Sequence, residues 1–154
     1  MNVHEIMTRD PVCCGPDTPL AEVARMMKEA DCGQIPIVET RDGGRPMGVV
    51  TDRDIVIRGI AEGRDPMQLR ARDVMSSPVV TVSPDDTVEA CERLFEEHRI
   101  RRAPVVDDRG RCCGIVAQAD IARRAPERLT ASMVRGVSQA PATSRRTARV
   151  ESAR

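Results

Sequence analysis

Gly48-Val49-Val50-Thr51-Asp52-Arg53-Asp54-Ile55 returns 66 residues later as Gly114-Ile115-Val116-Ala117-Gln118-Ala119-Asp120-Ile121. In both copies an apolar run that reads as a strand gives way to a polar turn and a helical start. The surrounding chain is duplicated in the same order. Ile35-Pro36-Ile37-Val38 matches Ala103-Pro104-Val105-Val106, Pro16-Asp17-Thr18 matches Pro84-Asp85-Asp86, and Ile6-Met7 matches Val74-Met75, each 68 residues apart. A repeat of this length is a supersecondary unit that cannot bury its apolar face alone. Two copies therefore predict a pseudo-twofold pair of units with clefts between them, the usual place for small ligands.

Each copy reads as β-α-β-β-α, an α/β (α+β) arrangement. Leu20, Val23, Met26, Met27 and Ala30 share one face of a helix from Pro19 to about Ala30. Val88, Cys91, Leu94 and Phe95 repeat that face in the second copy. The Ile35–Val38 and Ala103–Val106 runs read as short buried strands. The turns Arg41-Asp42-Gly43-Gly44 and Asp107-Asp108-Arg109-Gly110 lead into return strands at Gly48 and Gly114. Closing helices are expected from Asp52 to Ala61 and from Ala119 to Arg124. The repeats span residues 3–62 and 70–125, with a linker from Gly63-Arg64-Asp65-Pro66. Residues 126–154 form a tail, with a short amphipathic helix expected at 129–137. The Ser/Ala/Thr/Arg-rich remainder has little to bury and is expected to be disordered.

The 24 basic and 24 acidic residues among 154 give no net charge. That balance argues against a general binder of nucleic acid or anionic membrane. Phe95 is the sole aromatic side chain, so a base-stacking platform is excluded and the core must be aliphatic. No apolar run reaches membrane-spanning length, and the opening residues lack the layout of a signal peptide. A cytoplasmic protein is expected, with Cys13, Cys14, Cys32, Cys91, Cys112 and Cys113 mostly as free thiols. The vicinal pairs Cys13-Cys14 and Cys112-Cys113 fall on expected strands and read as small buried hydrophobes. The alternative is a thiol or zinc site assembled across the fold with His4 or His98. His98 on its own reads as a surface residue at a helix end. No nucleophile–base arrangement and no Gly-rich phosphate loop is visible, so no enzyme is expected.

Thr51 and Asp54 lie three apart at a strand-to-helix junction. On spacing alone they read first as a capping box, with Asp in place of the usual Glu. The functional reading is a polar clamp: a carboxylate that accepts hydrogen bonds from a vicinal diol such as ribose, beside a hydroxyl that meets ribose or phosphate.

The ordered motifs decide between these readings. Ile6-Met7-Thr8, Ile35-Pro36-Ile37-Val38 and Gly48 to Ile55, with Val74-Met75-Ser76, Ala103-Pro104-Val105-Val106 and Gly114 to Ile121, resemble a pair of CBS (cystathionine beta-synthase) domains, a Bateman module. The resemblance covers about residues 3 to 124. The run Thr51 to Ala61 is especially similar to small bacterial stand-alone CBS pairs, hypoxic response proteins among them. The resemblance implies a non-catalytic sensing module that binds AMP, ADP, ATP or S-adenosylmethionine in clefts between the repeats. No cofactor is obligatory.

Carried over by position, the first copy offers Thr8, Cys13, Gln34, Ile35, Pro36, Thr51, Arg53 and Asp54. The second offers Ser76, Val80, Arg101, Arg102, Ala103, Pro104 and Asp120. Ala117 stands where the pattern has Thr or Ser, and Gln34 stands at the position of Arg102. The first copy thus carries the fuller ribose side and the second the stronger phosphate side. The resemblance further implies a homodimer that signals through a separate effector protein. The alternative function is a thiol- or zinc-responsive interaction protein.

Overall fold

Two antiparallel hairpins organise the chain, one in each repeat. Strands β2 (Gln34–Val38) and β3 (Pro46–Thr51) form the first, and β4 (Arg102–Val106) and β5 (Cys112–Ala117) the second. The ladders run Gln34 opposite Thr51 and Arg102 opposite Ala117, each with a register shift, at Ile37/Val38 and Val105/Val106. A computed structural model describes residues 1–40 and 44–124. The expected turn at residues 41–43 and the tail at 126–154 lie outside the described residues.

Pro36 and Pro104 sit inside strands because of what lies on their outer edges. Cys14 N–H donates to the Pro36 carbonyl at 3.2 Å and Val38 N–H to the Cys14 carbonyl at 2.9 Å. Val82 repeats this on Pro104 and Val106 at 3.1 and 2.9 Å. On that edge the proline supplies only its carbonyl, so the missing N–H costs no ladder bond.

Helix α2 (Leu20–Glu29) buries Leu20, Val23 and Met27, and α5 (Val88–His98) buries Val88, Cys91 and Phe95, at the expected helical spacing. Residues just past each helix, Asp31 (φ 48°) and Arg99 (φ 53°), take the left-handed conformation. This turns the chain from helix into strand.

The opening segments depart from the β-α-β-β-α reading. Each starts with a single helical turn, α1 (Val3–Ile6) and α4 (Ala71–Val74). Only Thr8–Arg9 (β1) extends a sheet, as the third strand beside β5. Cys13 and Cys14 are not in a strand: Cys14 makes an isolated bridge to Ile37.

The opening helices are also exchanged between repeats. Val3 and Ile6 are buried with Val82, Phe95, Val105 and Ile121, in the core of the second repeat. Leu69, Ala71 and Val74 are buried with Leu20, Ile35, Ile37 and Val50, in the core of the first. The backbone bonds repeat the exchange: Val3 N–H to the Asp86 carbonyl and Ala71 N–H to the Thr18 carbonyl, both 2.9 Å. Glycine permits the close crossing. A Cβ on Gly114 would stand 2.6 Å from Met7 Sδ, and one on Gly48 2.8 Å from the Ser76 carbonyl oxygen.

After β3 the chain makes one turn of α3 (Asp52–Asp54) and widens into a π-helix at Ile55–Ile60. Ala61 N–H bonds the Val56 carbonyl at 2.8 Å and Arg64 N–H the Gly59 carbonyl at 3.1 Å. Helix α6 (Gln118–Arg124) is the second-repeat counterpart. A 3-10 turn at Pro66–Gln68 completes the linker. No helix among the described residues is long and apolar enough to cross a membrane.

Candidate functional site

The exchange of opening segments builds two clefts related by the pseudo-twofold, each made from both repeats. The first, about 470 Å³, is lined by Thr51, Asp52 and Arg53 from one repeat with Ser76 and Arg99 to Arg102, and by Gln34 and Val49. The second, about 310 Å³, is lined at the equivalent positions by Ala117, Ala119, Thr8, Asp31 to Gln34, Arg102 and Ile115. Asp120, Asp10, Pro11, Val12 and Arg123 add to its wall. Gln34 and Arg102 face both clefts.

At the Thr51 cleft the capping box forms and the clamp is part of it. Thr51 donates to Asp54 Oδ2 from both its N–H and its Oγ1, at 2.9 Å each, and Asp54 N–H returns a bond to Thr51 Oγ1 at 3.1 Å. Ser76, brought in by the exchange, donates its hydroxyl to Asp54 Oδ1 at 3.2 Å. Arg58 Nε stands 4.0 Å from the same oxygen while its Nη1 holds the Val74 and Met75 carbonyls. The Asp54 side chain is 13% exposed. A carboxylate oxygen accepts about two hydrogen bonds. Oδ2 is thus filled by Thr51, and a diol would meet Oδ1 and displace or share Ser76.

At the other cleft Ala117 N–H donates to Asp120 Oδ2 at 2.8 Å, and Arg123 Nη1 lies 3.9 Å from Oδ1. Without a hydroxyl at position 117, Asp120 keeps more acceptor capacity free, at 18% exposure. Arg124, the counterpart of Arg58, holds the Glu5 carbonyl of the exchanged helix α1 at 2.6 Å.

The division of site residues by sequence copy is therefore corrected. Thr8 belongs with Ala117 and Asp120, and Ser76 belongs with Thr51 and Asp54. Arg101 and Arg102 stand beside Thr51, so the hydroxyl of the first copy and the guanidiniums of the second share one cleft. Ile35, Pro36, Ala103 and Pro104 are buried in the hairpins and line neither cleft. Val80 and Cys13 are half-buried and line neither as well. Arg99, Asp31 and Asp52 enter the clefts without having been expected there. The signal for the first two was their matched positions just past α5 and α2.

Cys13 lies instead against Cys112 of the other repeat. The side-chain interaction with Cys112 raises the Cys13 pKa well above the usual thiol range, burial adding to the effect, while the Cys13 thiol donates to the Pro11 carbonyl at 3.3 Å. The same interaction holds Cys112 below that range despite its partial burial. Burial pushes the Cys91 thiol up to about 12. All six cysteines are free thiols. Among the described residues no group of three or more His, Cys, Asp or Glu side chains could hold a metal ion.

A duplicated unit with exchanged opening helices and paired clefts, each backed by an Asp at a strand-to-helix junction, defines a tandem-repeat fold with two clefts between its repeats. The chain belongs to the CBS-domain family, whose model matches it twice, at residues 3–59 and 71–127. It is 36% identical over 134 residues to hypoxic response protein 1 of Mycobacterium tuberculosis, covering 87% of this chain and 92% of that protein. It is 38% identical over 126 residues to uncharacterized protein MK0525 of Methanopyrus kandleri, covering 82% of this chain and 63% of that one. The crystal structure of hypoxic response protein I with two coordinated zinc ions matches with a TM-score of 0.72 at 36% identity, over 82% of this chain and 100% of that one. The CBS domain pair of protein MJ0100, solved with 5-methylthioadenosine and S-adenosyl-L-methionine, matches with a TM-score of 0.72 at 26% identity, over 80% and 98%.

Proposed function

We propose that this chain is a non-catalytic regulatory module that binds adenosine derivatives in its two clefts and passes the bound state to a separate effector protein. The observation that carries the reading is the set of groups converging at Asp54. The Thr51 and Ser76 hydroxyls line a cleft between repeats with flanking guanidiniums, and the nearly buried Asp54 carboxylate, which does not itself line the cleft, holds both hydroxyls from behind, an inventory that suits a ribose and its phosphates. The MJ0100 complex supports the ligand class. Because each cleft wall comes from both repeats, a ligand that prefers one relative pose shifts the pair toward it. The free thiols accord with a reducing cytoplasmic setting.

The module acts as a homodimer in this reading. Val56, Ile57 and Ile60 are 50%, 45% and 59% exposed on the π-helix, an apolar face on the outside of the first repeat. A second copy of the chain would cover it.

Calorimetric titration with AMP, ATP and S-adenosylmethionine tests the ligand reading. Binding by wild type that falls at least tenfold in Asp54→Asn supports it. Tight binding unchanged in both Asp54→Asn and Asp120→Asn removes the role given to these carboxylates.

Cys13 against Cys112 supports a second reading, a thiol-responsive interaction protein, and the zinc-bound hypoxic response protein I gives it a metal variant. Two thiols do not complete a tetrahedral zinc site, so the residues described here fit thiol chemistry better than a resident metal. Metal analysis of the purified protein, with thiol counting, separates the two. One zinc per chain without nucleotide binding would favour the metal form.

A further inference from the structure

The two clefts have the same shape plan and opposite charge. Position for position across the pseudo-twofold, Arg99 faces the first cleft where Asp31 faces the second. Arg101 is matched by Gly33, Arg102 by Gln34, and Arg53 by Ala119. The Thr51 cleft thus gathers the guanidiniums of Arg53, Arg99, Arg101 and Arg102 around one lining carboxylate, Asp52. The Ala117 cleft gathers Asp10, Asp31 and Asp120 against Arg102 and Arg123, and Arg123 leans on Asp120 at 3.9 Å.

The backbone explains the convergence. Arg99 ends α5 in the left-handed conformation, and residues 99–102 then run along the mouth of the cleft into β4. Arg53 projects from the first turn after β3 on the facing side. Among the described residues none of these guanidiniums is engaged in an ion pair or a side-chain hydrogen bond. Like charges gathered without partners repel one another, and a multiply charged anion between them relieves that repulsion. Guanidinium forks match phosphate oxygens bidentately, and several together favour a chain of phosphates over a single one.

Resting on the nucleotide reading above, we propose that charge sorts the ligands. The Thr51 cleft takes a nucleoside di- or triphosphate through its polyphosphate. The Ala117 cleft takes an adenosine compound without phosphate, neutral or cationic. Arg102 stands on the wall common to both, so Arg53, Arg99 and Arg101 are the residues that separate the clefts, the last two from the segment that leads into β4.

Calorimetry on the full chain tests this with ATP, AMP and S-adenosylmethionine as probes. ATP is expected to bind at least tenfold tighter than AMP at low salt, with a strong loss of affinity as salt rises. Arg99→Gln combined with Arg101→Gln is expected to erase most of that preference. Both side chains are exposed, and an unchanged thermal midpoint shows that the variant is folded. S-adenosylmethionine is expected to bind alongside saturating ATP and to weaken at least fivefold in Asp31→Asn. Equal affinity for ATP and AMP, an unchanged ATP preference in the double variant, or full competition between ATP and S-adenosylmethionine would overturn the sorting and leave the nucleotide reading standing. Absence of binding by all three probes overturns both.

Discussion

Asp54 and Thr51 hold each other reciprocally, through three hydrogen bonds of 2.9, 2.9 and 3.1 Å, whereas their counterparts Asp120 and Ala117 share a single bond of 2.8 Å. The same two positions thus serve as helix cap and as cleft wall, and the repeats differ in how much capping they keep.

Thr51→Ala is expected to destabilise the protein by about 1 kcal/mol, the usual worth of an N-cap hydroxyl, and Thr51→Ser to be close to neutral. Ala117→Thr installs the missing acceptor for Asp120 N–H and is expected to stabilise by roughly 0.5–1 kcal/mol. Urea unfolding of the three variants checks the pair. Destabilisation by Ala117→Thr would show that the second junction has no room for a cap.

Gly48→Ala is expected to cost about 1–3 kcal/mol, because the added methyl would meet the Ser76 carbonyl oxygen and Met75 Sδ at 2.8 and 3.0 Å. Ser76 pairs with Val49 through bonds of 3.1 and 2.8 Å and also reaches Asp54, so the displacement extends into the cleft. Backbone amide shifts at Ser76 and Asp54 in heteronuclear NMR should report it. A variant with wild-type stability and unmoved amides would contradict the crossing described here.

Glu92 is buried on α5 with Oε1 unpaired. Burial raises its pKa, and Glu89 and then Glu96 add to the shift. With the folded value above the unfolded one, the neutral form is the one that suits the fold. Its contribution is complete below the unfolded glutamate pKa of about 4.3 and is lost as pH rises through the folded value. Glu92→Gln is therefore expected to raise the thermal midpoint at pH 7 by about 2–4 °C, the scale of roughly 1 kcal/mol in a chain of this size. The gap should close near pH 4. A gap that widens on acidification has the wrong sign for this account.

Cys112 is expected to react first with limiting iodoacetamide near neutral pH, ahead of Cys13 and Cys91, because the thiolate is the nucleophile. The Cys13 thiol favours the Cys112 thiolate, whereas Cys91, at about 12, stays protonated. Cys13→Ala should slow Cys112 severalfold. Peptide mass spectrometry reads both, and early labelling of Cys91 would contradict the ordering.

Ile57→Asp with Ile60→Asp is expected to convert the proposed homodimer to a monomer, as measured by light scattering on the column eluate. Both side chains are about half exposed, so the monomer should keep its thermal midpoint at low protein concentration. An unchanged oligomer would move the interface off this face.

Much of the fold was legible because its signals are local. Helical spacing marked α2 and α5, the Ile-Pro-Ile-Val and Ala-Pro-Val-Val runs marked β2 and β4, and the Thr51–Asp54 spacing marked a cap that forms. The exchange of α1 and α4 was not legible. Val3 and Ile6 present the same apolar pattern as Ala71 and Val74, so either pair suits either core, and local pattern is blind to which one it enters. The π-helix at Ile55–Ile60 differs from an α-helix by one residue in its bonding, too little to mark the sequence. Cys13-Cys14 looked like strand because its apolar character was read without its bonding partners. Asp54 and Asp120 were named by motif; Asp120 lines its cleft, and Asp54 lies behind Thr51 and Ser76. Arg99 and Asp31 were hidden because a cleft wall made from the end of a helix has no spacing of its own.

The exchanged opening helices make the repeat of the sequence and the unit of folding two different things. A fragment holding only the first repeat would carry Val3 and Ile6 without the core that receives them, and would lack Ala71 and Val74 to fill its own. Each half completes the other, so the duplicated chain is expected to melt as one cooperative body in a single transition. Evolutionary drift in either copy is correspondingly tied to the other, since a change in one opening helix is felt as a cavity in the opposite half.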